Sequence, residues 1–389
     1  MSDSMASGDV PEEHDSLGRS TGVEAEEPQD TDLIRRPFDP DKIDVITRTP
    51  TVDLLLSRIR HGTLDLEPEF QRQRGIWTDQ RQSRLIESLL LRIPLPTLYA
   101  AEGEDEIWTV VDGIQRLTAI SRFIEPQVNG ADRLILSSLE YLGKSYNGAS
   151  YDGLPGRLQT RLRETELVVH LIRPGTPEEV MFNIFARINT GGMPLSTQEL
   201  RHALIKGPAR DLLRTWSRST EFINATSGSV REERMADREM VLRFIAFRIT
   251  SPGDYTSQDF DAFLREAMRS TNTLSHDQRD GLQQEFNKAM QAAGDIFGPH
   301  AFRKQYPGRS NRFPINKAIF EAVAVNLATL TDTQIQALVE RKDAVNSQFA
   351  LLMTNQAFER SVSQGTGDVA KVKLRFGQVR ELFREVLGD

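Results

Sequence analysis

A run rich in β-branched and aromatic residues, Ile107-Trp108-Thr109-Val110-Val111, ends on Asp112-Gly113, and a helical pattern begins at once with Ile114-Gln115-Arg116-Leu117-Thr118. From there Ile114, Leu117, Ile120 and Ile124 fall on one stripe at helical spacing. The junction fixes a strand feeding directly into a helix and puts Asp112, Gly113, Gln115 and Arg116 at the mouth of that helix. Helix N-termini attract anions, phosphate above all, so the junction reads as the centre of a phosphate-handling site.

The flanking sequence supplies the other elements of a small mixed fold. Thr51 caps a short helix over 52–60, and Leu64 and Leu66 alternate with polar neighbours as in a strand. A helix over 79–92 has Leu85, Ile86, Leu89, Leu90 and Ile93 as its buried face, and Pro94 and Pro96 end it. Strands follow at 96–100, 108–111 and 166–172, with an acidic turn at Glu102-Gly103-Glu104-Asp105. Glu178 to Ile188 is helical, 189–195 is a loop, and Ser196-Thr197-Gln198-Glu199 is a capping box opening another helix. From about residue 208 the pattern is almost wholly helical, with an amphipathic helix over 316–330 and a second capping box at Thr331-Asp332-Thr333-Gln334. Val369, Val372, Phe376, Val379, Phe383 and Val386 repeat at steps of three and four. That seam suits a terminal helix docked on its own domain, or a partner coil.

The net charge of −8 is unevenly placed. Residues 1–32 hold ten Asp/Glu and one Arg, which leaves 46 acidic against 47 basic residues in the rest. Residues 1–37 read as a disordered acidic tail, or as a competitor for a basic groove. The chain has no cysteine, which excludes disulfides, Cys-ligated zinc and thiol catalysis. No apolar run approaches the ~20 residues of a membrane span, and a cytoplasmic location is expected.

The chemistry at the junction has competing readings. Asp112 either holds Mg²⁺ or a water, as phosphoryl transfer requires, or caps the helix. Arg72 and Arg116 are phosphate clamps by their paired donors, or surface ion pairs. Gln71 and Gln115 position a water or read a base edge, or merely solvate a helix face. Gly113 permits close backbone approach to a ligand, or serves an ordinary turn. Arg187, Asn189, Gly191 and Gly192 form a second polar cluster that closes over phosphate or sugar, or is a plain connector. His170 alternates with apolar strand residues as a structural histidine. Neither a Gly-x-x-x-x-Gly-Lys-Ser/Thr loop nor a Gly-x-Gly-x-x-Gly fingerprint is present.

Three segments in order resemble the GmrSD-type restriction-enzyme N-terminal domain. They are Phe70-Gln71-Arg72 with Trp77 and Leu85-Ile86-Glu87-Ser88-Leu89-Leu90, then Asp112-Gly113-Ile114-Gln115-Arg116-Leu117-Thr118, then Phe185-Ala186-Arg187-Ile188-Asn189-Thr190-Gly191-Gly192 with Leu195 to Arg201. The resemblance covers about residues 45–250. It implies a ParB/sulfiredoxin-like fold, nucleotide-dependent activity in bacterial defence against foreign DNA, and a nucleotide site lined by the Asp-Gly-x-Gln-Arg motif. The first Gln of the family motif, usually Asp-Gly-Gln-Gln-Arg-Leu-Thr, is Ile114 here. Related proteins often add an HNH nuclease; the six histidines of this chain are scattered, with no two near neighbours.

Phe302 to Lys317 carries Arg303, Lys304, Arg309, Arg312 and Lys317 with three aromatics and no acid. It reads as a nucleic-acid grip, or as a solvated connector. The expectation is therefore an α+β protein: a ParB/sulfiredoxin-like domain with a small mixed sheet over 38–207, then an α-helical domain over 208–389. The expected function is a Mg²⁺-assisted nucleoside-triphosphate hydrolase or nuclease of a restriction or anti-phage system. Asp112, Gln115 and Arg116 would be catalytic, with DNA and a separately encoded nuclease or methyltransferase as partners. The alternatives are a non-catalytic DNA or nucleotide sensor and a scaffold acting through the last helix.

Overall fold

The computed structural model describes residues 10–14, 18–26, 42–66, 77–128, 132–188, 195–257 and 259–388. The chain divides into two compact units, residues 34–204 and residues 1–33 together with 205–389. The described residues hold seven strands: β1 (Glu12–His14), β2 (Ser20–Glu24), β3 (Val45–Arg48), β4 (Leu64–Asp65), β5 (Leu98–Glu102), β6 (Trp108–Asp112) and β7 (Val169–Ile172). The protein is α+β, as expected, with a small mixed sheet and a long helical half.

In the unit 34–204 the sheet order is β3-β7-β5-β6-β4. β5 runs parallel to β7 and antiparallel to β6, and β4 is parallel to β6. Across β5 and β6, Tyr99 faces Asp112 while Ala100 faces Val110, so Val111 is an extra residue in β6. Such a bulge bends the strand and re-aims the residues beside it. It falls one residue before Asp112, where the sheet gives way to the helix Ile114–Ile124.

The apolar stripe of that helix forms as the spacing predicts: Ile114, Leu117, Ile120 and Ile124 are at most 6% exposed, whereas Ile93, expected on the buried face of the preceding helix, lies beyond its end and is exposed. Each buried side chain of the stripe contributes about 1.5–3 kcal/mol by leaving water. The helix packs against Asp79–Leu90, which Thr78 caps by accepting from the Arg81 N–H. Glu87 from that second helix is buried, and its carboxylate accepts the backbone N–H groups of Glu140, Tyr141 and Leu142 at 2.7–2.9 Å. Burial alone would raise the Glu87 carboxyl, but the three donors outweigh it and hold it below the ordinary glutamate value.

The other unit is built on two helices buried on every side, Ala236–Ile249 and Lys317–Thr329. The amphipathic pattern expected over 316–330 is corrected here: Lys317 through Ala328 are all buried, the polar members included. Those polar groups are paired, with Glu321 bridging Arg243 at 2.8 Å and Arg375 at 2.5 Å. The last helix, Val369–Leu387, spends its seam inside its own unit, where Val372, Phe376, Val379, Phe383 and Val386 are buried. That outcome removes the coil with a partner and the scaffold reading built on it.

Of the acidic N-terminus expected over 1–37, residues 10–14 and 18–26 are described and form structure, and the rest lies outside the described residues. β1 and β2 pair antiparallel, and Thr21 and Val23 are completely buried. Opposite charge explains the difference: Glu24 and Glu26 reach Lys304 and Arg243 of the helical unit.

Candidate functional site

Asp112 closes β6, and its side chain is 40% exposed. It does not cap the helix. The cap position is Gly113, in the left-handed region at φ +100°, and no side chain accepts from the first turn. The glycine is required twice over: its backbone conformation disfavours L side chains, and a Cβ there would lie 2.1 Å from Leu98 Cδ2. The result is an acidic group beside an uncapped helix N-terminus, where the partial positive charge of the helix is felt.

Arg116 does not point at a ligand with its donors free. Nη1 donates to the Pro96 carbonyl, and Nη2 donates to the Thr97 carbonyl at 3.2 Å and to Asp112 Oδ2 at 2.8 Å. Burial pulls the guanidinium below its ordinary pKa, while the Asp112 charge opposes that shift. The arginine ties the β5 approach, the end of β6 and the helix together, and it orients Asp112. Three of its five N–H groups are thus engaged within the domain.

Gln115 is different. Its Oε1 accepts the Trp77 N–H at 3.3 Å, while its buried Nε2 has no partner among the described residues. A buried amide donor without an acceptor is costly, about 1–3 kcal/mol, unless something supplies one. Beside it, Gln82 donates to the Trp77 carbonyl at 2.6 Å and accepts from Arg122, which also pairs with Asp79 at 2.5 Å. Sequence reasoning missed Gln82, Asp79 and Arg122 as a support for the motif helix; the polar residues spaced along the face of helix 79–90 were the available signal.

Of the second cluster, Arg187 lies in the helix Glu178–Ile188, and its side chain is outside the described residues. Gln71, Arg72, Asn189, Gly191 and Gly192 are outside them as well. The capping box at Ser196 forms, with Ser196 and Glu199 exchanging bonds of 3.1 and 2.6 Å. His170 accepts or donates at Thr47 Oγ1, 3.0 Å away, and its ring lies 5.1 Å from that of Tyr99. Among the described residues no group of three or more His, Asp or Glu could hold a metal, and no helix is long and apolar enough to cross a membrane.

The basic stretch 302–317 divides. Arg303, Lys304 and Lys317 are each 4% exposed. Arg303 donates to the Phe313 carbonyl and to Ser229, Lys304 pairs with Glu24, and Lys317 pairs with Glu13 and Glu239. Burial pushes the Arg303 guanidinium down to about 10. These three are not available to a nucleic-acid backbone, which corrects that part of the expectation. Arg309 and Arg312 are exposed, and Arg309 sits over the Tyr306 ring beside an open cleft of about 430 Å³.

The sheet order and the bulged junction define the first unit as an α+β domain that presents an acid and an amide at a helix mouth. Residues 52–206 match the family model described as GmrSD restriction endonuclease, N-terminal domain. The match ends before the helices beyond 206, a shorter span than the resemblance over 45–250. No curated protein matches the chain.

Proposed function

We propose that the domain over 52–206 is the nucleotide-dependent module of a bacterial restriction or anti-phage system, and that the Asp112–Gly113–Gln115 junction receives the phosphates of a nucleoside triphosphate. The family supports the setting. The observation that carries the site is the Gln115 Nε2 donor, buried without an acceptor among the described residues, on the first turn of a helix whose N-terminus follows the half-exposed Asp112 carboxylate. A phosphate oxygen or a positioned water would satisfy that donor.

Mg²⁺ fits this donor set as a substrate-borne ion. It is ordinarily held by one or two carboxylates together with substrate phosphates and waters, and Asp112 keeps Oδ1 while Oδ2 accepts from Arg116. The ion would supply charge neutralisation on the phosphates. The chain's own residues would do the rest: Asp112 orients a water, Gln115 holds it or a phosphate oxygen, and Arg116 fixes Asp112. Arg72, Arg187, Gln71, Asn189, Gly191 and Gly192 remain proposed contacts to phosphate or sugar.

A second reading, a nucleotide or DNA sensor without turnover, is favoured by one observation. The motif arginine spends its donors inside the domain, so fewer groups are left to stabilise a transition state. Phosphate release with each nucleoside triphosphate and Mg²⁺, with and without DNA, separates the two. Turnover lost in Asp112→Asn, with binding retained, supports hydrolysis. Binding of nucleotide or DNA without turnover in the native chain supports the sensor; no nucleotide binding refutes hydrolysis, and binding of neither ligand refutes both.

A further inference from the structure

The N-terminal segment lies on the helical unit as an extended peptide lies in a receptor. Main-chain bonds run from the Glu24 N–H to the Ile315 carbonyl (2.7 Å), from the Ile315 N–H to the Gly22 carbonyl (3.0 Å) and from the Arg231 N–H to the Thr21 carbonyl (3.1 Å). Val23 fills a slot and is completely buried. Gly22, at φ +78°, meets a pinch where a Cβ would lie 1.8 Å from the Ser229 carbonyl oxygen. Glu24 pairs with Lys304 Nζ at 2.8 Å and accepts from Asn316 at 2.9 Å. Glu26 pairs with Arg243 at 2.5 and 3.0 Å and accepts from Thr366 at 2.7 Å. Glu13 reaches Lys317 at 3.4 Å. The receptor therefore reads backbone, one small position, one apolar position and two carboxylates spaced by two, the mode of strand addition.

We propose that this groove is a binding site for an extended acidic segment of Gly-Val-Glu-x-Glu type on a partner protein, and that residues 18–26 occupy it in cis as an exchangeable strap. Exchange is plausible on physical grounds. A hairpin of three- and five-residue strands does not persist alone. Buried ion pairs add little net stability while strongly penalising a mismatched occupant. The proposal is independent of the nucleotide site.

The test uses the full chain with a protease recognition sequence inserted between residues 30 and 40, and a fluorescein-labelled synthetic peptide of residues 10–26. Anisotropy should show the peptide binding the cut chain at least about tenfold tighter than the uncut chain, because the tethered strap competes at high effective concentration. A peptide carrying Glu24→Gln and Glu26→Gln should bind at least about tenfold more weakly. Circular dichroism reports the fold of the cut chain. Three outcomes overturn the proposal: a cut, folded chain that takes up no peptide; equal binding of the Gln peptide; or a cut chain that unfolds, which would make the segment a fixed part of the core.

Discussion

Replacing Arg116 with methionine separates a brace from a phosphate clamp. The substitution keeps the aliphatic stem and removes the guanidinium. Two carbonyls, Pro96 and Thr97, lose their donor, and Asp112 loses its partner. Pro96 is exposed and Thr97 half-buried, so water replaces the lost donor and each bond is worth about 0.5–1.5 kcal/mol. The ion pair adds only about 0–1 kcal/mol, because the Asp112 side chain is 40% exposed and screened. The expected loss is therefore about 1–4 kcal/mol, a sizeable share of the roughly 5–15 kcal/mol that holds a domain together. The chain has three tryptophans, Trp77, Trp108 and Trp216. On a Trp216→Phe background, fluorescence in urea follows the 34–204 unit alone, so the two units are not averaged into one transition. Arg116→Lys should lose most of the same stability, since a single ammonium cannot reproduce the fork. The reasoning is refuted if Arg116→Met unfolds at the native urea midpoint while nucleotide affinity falls tenfold or more; the arginine would then hold ligand, not structure.

Three further outcomes follow from the same geometry. Gly113→Ala should cost about 1–2 kcal/mol for the left-handed backbone and about 1–3 kcal/mol for the collision with Leu98, and a Leu98→Ala background should return the second part in a urea double-mutant cycle. Glu87→Gln should flatten the acid side of the stability profile. The folded carboxyl titrates below its unfolded value, so its contribution is complete above the unfolded value and is lost as pH falls through the folded one. Thermal scans of Glu87→Gln and the native chain should therefore differ at neutral pH and converge in strong acid. Glu321→Gln should destabilise the helical unit by about 3–5 kcal/mol, read from Trp216 fluorescence, because the buried Arg375 would lose its carboxylate partner while Arg243 keeps Glu26 and Glu239.

What was legible in the sequence was local. Thr51 and the boxes at Ser196 and Thr331 mark helix starts because a capping oxygen and the N–H that donates to it lie within four residues of each other. Strand, glycine and helix at 108–124 follow from period and turn chemistry alone. The groups that decide burial were not legible, because their partners are remote: Arg243 and Glu26 are 217 residues apart, and Lys304 and Glu24 are 280 apart. A run of cations with no acid nearby in sequence looks solvated until the fold brings the acids in. Arg116 was hidden differently. Its acceptors at Pro96 and Thr97 are main-chain carbonyls 20 and 19 residues upstream, and a carbonyl leaves no mark in residue type. Ile114, the departure from the family motif, is 3% exposed on the apolar stripe, so the change falls on packing and leaves the polar face intact. With Ile114 in the core and Arg116 bonded within the domain, the groups of the motif left for the proposed ligand are Asp112, the Gln115 amide and the backbone of the first helical turn.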